Sequence, residues 1–313
     1  GYVGKPPELG TGVFAMDTGN SSSTIPTFDS GFPVDFGIMR SPGVVDNNNT
    51  GARLTGTGGM RTNDTNAETD YGSQWAWDSN AGWVANNNYQ SSTQSWMWKR
   101  HAGFDVVTYT GNSSGTGSFQ VISHQMNAVP EMIWIKDRDD TINWVAGHKG
   151  LNGGTNPWNY HLKLNTTDAE ATGSGAWFDT APSSSNFTIG HYGNWNANNH
   201  KYIAMLFASV DGISKVGSYT GNGSTTERTI TLGFQPRFII IKNADGDYGN
   251  SWEVLDTTRG WGSGNDKRIW LDGNWAQDDS INVGAPTSTG FTLTTDYTGM
   301  NANNNTYIYY AHA

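Results

Sequence analysis

The chain has 313 residues, a formal net charge of −10, 35% hydrophobic and 15% charged residues, and no cysteine. Disulfides and cysteine-bound metal are excluded. The acidic balance argues against nucleic acid, whose phosphates demand Lys and Arg, and 12% aromatic content argues against disorder.

In chain order, the first apolar run is "GFPVDFGIMRS" (Gly31 to Ser41), which ends in Arg40. The Trp-rich loop "QWAWDSNAGW" (Gln74 to Trp83) and the run "WMWKRHA" (Trp96 to Ala102) follow. "DVVTYTGNSS" (Asp105 to Ser114) then opens a series that recurs. "VPEMIWIKD" ends in Lys136 and Asp137, and "INWVAG" carries Trp144. Next come "NTTDAE" (Asn165 to Glu170), "APSSSNFTIG" (Ala181 to Gly190) and "NANNHKYIAMLFA". The last third repeats the series with "SKVGSYTGNGS", "GFQPRFIIIKN" ending in Lys242 and Asn243, "SWEVLD" with Trp252, "APTSTGFTLT" and "NANNNTYIYYAHA". Five segments matching in order define an internal repeat. The first copy is more divergent. Phe32, Phe36 and Arg40 align with Phe234, Phe238 and Lys242, and "NDTNAE" (Asn63 to Glu68) aligns with "NTTDAE". "WMWKRHA" is set against "YIYYAHA", which puts His101 level with His312. Three units follow, at 1–103, 104–212 and 213–313, each about 100 residues and of domain size. Junctions without linkers predict rigid packing of the units.

Strand signals dominate. "RTITLGF" and "FTLTT" alternate, and "RFIIIK" reads as a strand buried on both faces. "YIAMLFA" favours helix by composition, but its counterpart "YIYYAHA" favours strand. The expectation is all-β: three tandem β-sandwich-like domains, with the Lys-ended run as the central strand of each. The closing Arg40, Lys136 and Lys242 are expected to emerge at the sheet edge with their heads in water, a buried ion pair being the alternative.

The order "YTGNG", "GFQPRFIIIKN", "APTSTGFTLT" and "NNTYIYYAHA", with "HKGLNGGTNPW" and "LNTTDAE", resembles a repeat domain of tail-fibre and other structural proteins of tailed bacteriophages, marine and cyanobacterial phages especially. The likeness covers the second and third units almost end to end and the first more loosely. It implies a virion location, as a tail fibre or tail-associated adhesin that contributes to host attachment. The alternative is a purely structural fibre shaft or capsid decoration subunit. It also implies other virion proteins as partners and a homo-oligomer, a trimer being favoured. It carries no catalytic residues.

The chain's own residues suggest no enzyme. The adjacent pairs Asp139/Asp140 and Asp278/Asp279 point apart in a turn, and no triad is apparent; His191 and His200 bracket an Asn-rich loop that reads as hydrogen-bonded rather than metal-binding. No apolar stretch approaches the roughly 20 residues of a membrane span, so no membrane insertion is expected. No signal peptide is visible, and the first residue, Gly, suggests a piece of something longer. "NADGD" places Asn243, Asp245 and Asp247 at alternate positions, a candidate calcium loop weighed against an ordinary Asx turn. No other cofactor is expected. Loop aromatics flanked by Asn, Asp and Gly suit a host cell-surface glycan. These are Trp158 and Tyr160, Tyr192 and Trp195, and Trp75, Trp77 and Trp83, with domain packing as the competing reading.

Overall fold

The computed structural model describes residues 4–246 and 250–313. It is nearly all β, in antiparallel sheets, as the alternating and apolar runs predict. In the first unit a six-stranded sheet runs in the spatial order Phe14–Thr18, Gln94–Trp98, Phe36–Arg40, Asn49–Ala52, Gly58–Arg61, Thr69–Asp70. The second unit repeats it as Phe104–Thr110, Lys201–Phe207, Met132–Asp137, Val145–His148, Tyr160–Lys163, Ala171–Thr172. The third does so as Ser214–Thr220, Thr306–His312, Phe238–Asn243, Glu253–Asp256, Ile269–Trp270. A smaller sheet covers one face of each: Phe28–Asp29 with Gly82–Trp83, Gln120–Ser123 with Asn186–Ile189, and Arg228–Thr231 with Gly290–Leu293 and Pro286–Thr287. "YIAMLFA" is strand, paired on both sides, so the repeat overrides its helical composition.

Strand register sets the equivalences. Phe36 faces Trp98, Met132 faces Phe207 and Phe238 faces His312. Trp98, Phe207 and His312 are therefore equivalent, and the placing of His101 level with His312 is three residues out. The Lys-ended runs are buried along their whole length, and alternate residues serve different cores. Ile133 and Ile135 pack outward beneath the small sheet of their unit, as do Ile239 and Ile241 in theirs and Met39 in its own. Phe36, Ile38, Met132, Trp134, Phe238 and Ile240 all belong to one central cluster drawn from the three units. The expectation of self-contained domains therefore needs revision. Each unit has its own outer core, but the large sheets turn their other faces to one another and share a second.

The seams between units repeat around this shared core. The Trp144 indole donates to the carbonyl of Arg61 at 2.8 Å, that of Trp252 to Lys163 at 3.0 Å, and the Asn48 amide to Trp270 at 2.8 Å. The main chain repeats the motif: Glu68 N–H to Arg138 O at 2.9 Å, Glu170 to Ala244 at 2.8 Å and Gln277 to Pro42 at 2.7 Å. Each set links second to first, third to second and first to third units, so the ring closes. A Cβ on Gly10 would meet Ala313, because the start of the first unit abuts the last strand.

The closing bases do not reach water. Arg40, Lys136 and Lys242 are fully buried. They occupy the strand face turned to the shared core, so the neighbouring unit covers them. Buried cationic heads need compensating acceptors, and loop carbonyls supply them. Arg40 donates to the carbonyls of Gly273 and Trp275 of the third unit, at 3.3 and 2.6 Å. Lys242 donates to Thr167 of the second unit at 3.3 Å and to Asn243 and Asn250 at 2.9 and 2.7 Å. Lys136 donates to Asp137 and Asp140 carbonyls at 2.6 and 2.9 Å and feels the charge of Asp64 in the first unit. Burial pushes the Lys136 ammonium down to about 8, against the raising effect of these carboxylates.

Candidate functional site

The aromatics singled out from the sequence separate by burial. Trp75, Trp77 and Trp83 lie in the outer core of the first unit, with Trp77 and Trp83 rings 4.6 Å apart. Trp83 also donates to Ser95 Oγ. None presents a ring face to solvent, so the glycan role expected of these three is corrected to packing. Trp158 and Trp195 are buried as well, both edge-on to Trp177, in the outer core of the second unit. The physical reason is common to all five. A small sheet of two or three short strands cannot roof a sandwich alone, so bulky rings from the loops complete it.

Tyr160 and Tyr192 behave differently. The structure brings them together, with Asn159, Thr172, Gly173 and Asp179, around an open depression of about 420 Å³ on the second unit. Tyr160 begins a strand after the short turn Pro157–Asn159, and Tyr192 precedes the helical turn Gly193–Asn196. The Tyr192 ring lies directly over Gly175. A Cβ there would come within 2.5 Å of the ring, so this glycine is required by close approach. Below, Trp195 supports the tyrosine at 5.9 Å between ring centroids, and His191 stands edge-on at 4.7 Å. Tyr192 keeps 41% of its surface exposed. A second depression of about 270 Å³ adjoins and shares Asp179, adding Phe178 and His191 to the lining. Phe178 stacks on Phe119, which is 51% exposed. Phe178 and Asp179 both hold left-handed backbone, at φ of 52° and 48°. Consecutive non-glycine residues in that region are strained, and such strain clusters at binding sites.

Sequence reasoning missed Asn159, Thr172, Phe178 and Asp179. Only register and loop packing bring them together, and no local pattern marks them. The Asn-rich loop is hydrogen-bonded, as its composition suggests: Asn196 is fully buried and locks the turn at Asn112 by accepting its N–H at 2.7 Å. Asn301 does the same for Asn222 in the third unit. That unit also shows what the fold does with the residue equivalent to Tyr192. Tyr297 donates to Glu253 Oε1 at 2.8 Å and lies beneath the Arg268 guanidinium at 4.7 Å. The exposed ring of the second unit is thus not repeated in the third.

Of the candidate calcium loop, Asp247 lies outside the described residues. Asn243 is buried, its side-chain Oδ1 accepting from Asp245 N–H at 3.1 Å and its side-chain amide donating to the Thr298 carbonyl. Asp245 is exposed and accepts from Thr306 N–H at 2.5 Å. The bond from Asp245 N–H to Asn243 is that of an Asx turn. Among the described residues no three His, Cys, Asp or Glu side chains converge as a metal site, and no helix is long and apolar enough to cross a membrane.

A family described as "Domain of unknown function (DUF7483)" matches residues 38–313. The chain belongs to this family. The match runs through all three units, in keeping with a core that none of them completes alone. No curated protein matches the chain. Among solved structures, one described as "Crystal Structure of the STIV MCP" aligns over 66% of this chain and 96% of its own, at 11% identity and a TM-score of 0.21.

Proposed function

We propose that the chain is a recognition module of a bacteriophage virion, part of a tail fibre or tail-associated adhesin, and that it holds a host-surface carbohydrate in the groove at Tyr160 and Tyr192. The observation that carries the binding reading is the half-exposed Tyr192 ring, fixed over Gly175 and facing a depression lined by Asn159, Thr172 and Asp179. An apolar face beside a few placed polar groups is what a sugar ring requires, its C–H face on the aromatic and its hydroxyls on amide and carboxylate. The virion setting is supported by the resemblance of the repeat to phage structural domains. The reading involves no catalytic step: a single carboxylate, Asp179, stands among the groove-lining residues. Assembly into a homo-oligomer, with a trimer the expected form, would use outer faces, since the inner faces are already paired.

A glycan array followed by calorimetric titration tests this. Tyr192→Ala should weaken binding by at least tenfold, the scale of a tyrosine anchor, with unchanged thermal stability. Trp195→Ala should instead destabilise the fold by about 3–5 kcal/mol, as for a buried tryptophan. Wild-type protein that binds no glycan, or a Tyr192→Ala variant that binds as well as wild type, would overturn the reading. Light scattering on the same sample reports the assembly state, and a reducing-end assay on bound polysaccharide reports any hydrolysis.

A further inference from the structure

A depression of about 400 Å³ lies on the first unit, between its opening segment and its last residues, far in sequence from the tyrosine groove. Lys5, Lys99, Arg100 and His101 line it, with Glu8 the one carboxylate. In a chain of net charge −10 this concentrates three cations around one opening. Arg100 is held by Asp105, its Nε donating at 2.5 Å. Lys5 and Lys99 form no ion pair among the described residues.

His101 is 3% exposed. Its Nδ1 accepts the N–H of Gly103 at 3.0 Å, which leaves the ring proton of the neutral imidazole on Nε2. That Nε2 is buried and has no hydrogen-bond partner among the described residues. A buried donor left unmade is costly, and its ring shares the lining of the depression with Lys5 and Lys99.

The other junctions show what the fold itself needs at these positions. Lys99 N–H donates to Val13 O, Ala208 N–H to Gly103 O and Ala313 N–H to Ile213 O. Lys99, Arg100 and His101 are therefore equivalent to Ala208, Ser209 and Val210 at the next junction. A similar bridge closes there, Val210 with Ser214, one residue longer and without a base or an imidazole, so the fold does not demand the Lys-Arg-His triplet.

We propose that this pocket binds a tetrahedral oxyanion, a phosphate group, with Lys99 and Lys5 supplying charge and His101 Nε2–H a directed hydrogen bond. Such charge-assisted bonds are the strong class of hydrogen bond. The phosphate can be free or carried on a polyol-phosphate polymer, and two probes separate these sources: inorganic phosphate and glycerol 1-phosphate.

The test is calorimetric titration of the full chain with each probe at constant ionic strength, together with nitrogen NMR of the His101 ring. The comparison variant is Lys99→Ala, which places at this position the residue the second junction already carries. The expected result is saturable binding of at least one probe, a shift of the His101 Nε2 resonance, and about tenfold weaker binding in Lys99→Ala. The tighter probe identifies the source. Absence of binding, equal binding by Lys99→Ala, or binding that leaves the His101 ring unmoved would each overturn the proposal.

Discussion

Single buried polar residues decide how this molecule holds together. His148 is one. It lies on the second unit, accepts Gly150 N–H through Nδ1 and donates from Nε2 to the Tyr309 carbonyl of the third unit at 3.1 Å. Burial, the largest influence, pushes its imidazole down to about 4. An unfolded histidine titrates near 6.5. Between these values the unfolded chain binds the extra proton, so stability contributed by neutral His148 is complete above about pH 6.5 and is lost as pH falls through about 4. Chemical denaturation across pH 4–7 should show the wild type losing about 3 kcal/mol more than His148→Gln over that window. Parallel pH profiles for the two proteins would refute this. Buried bases follow the same logic. The run "RFIIIK" foretells a strand with an apolar face on each side, but nothing in it tells whether Lys242 meets water or a carbonyl. That depends on a unit 75 residues away, at Thr167.

At the scale of elements, the repeat is a sandwich whose second layer is too small. The difference is made up by tryptophans set over glycines. A Cβ on Gly147 would come within 2.6 Å of both Trp158 and Trp177, and one on Gly51 within 2.4 Å of Trp75. In the third unit the same register position is Leu255, which packs in the outer core with Trp261. Tryptophan and glycine are thus exchanged together for a different partner set, keeping the interior filled. Gly147→Ala should overpack the second unit and cost about 1–3 kcal/mol, read as a lowered denaturation midpoint with an unchanged slope. Leu255→Ala, at the matching position, should cost about 2–5 kcal/mol by opening a cavity. A neutral Gly147→Ala would mean the Trp158–Trp177 pair is looser than the structure shows.

For the whole molecule, the shared core converts three repeats into one folding unit. Its large sheets bury Phe36, Trp134, Ile240 and their neighbours only against one another. Removing any unit exposes this apolar face on the other two. Calorimetry should therefore show a single transition with equal calorimetric and van't Hoff enthalpies, and the isolated segment 104–212 should fail to fold cooperatively. Three separate transitions, or a stable isolated unit, would contradict the shared core. The same closure buries the donors of the seam bonds, Trp144, Trp252 and Asn48, and burial strengthens a hydrogen bond.

Alternation, apolar runs and repeated segments by themselves determined the all-β class, the central strand of each unit and the equivalence of Arg40, Lys136 and Lys242. These rest on local period and on comparison within the chain, and both are written along one dimension. Only the tertiary structure decided that the bases are buried, that five of seven candidate aromatics are roof rather than platform, and that Tyr160 and Tyr192 meet Asp179. Burial depends on what the other units place overhead, and binding grooves on loops brought together across a sheet. Where copies of one fold differ, at Tyr192 against Tyr297 and at Lys99 against Ala208, the repeat itself separates what the fold requires from what it leaves free to vary.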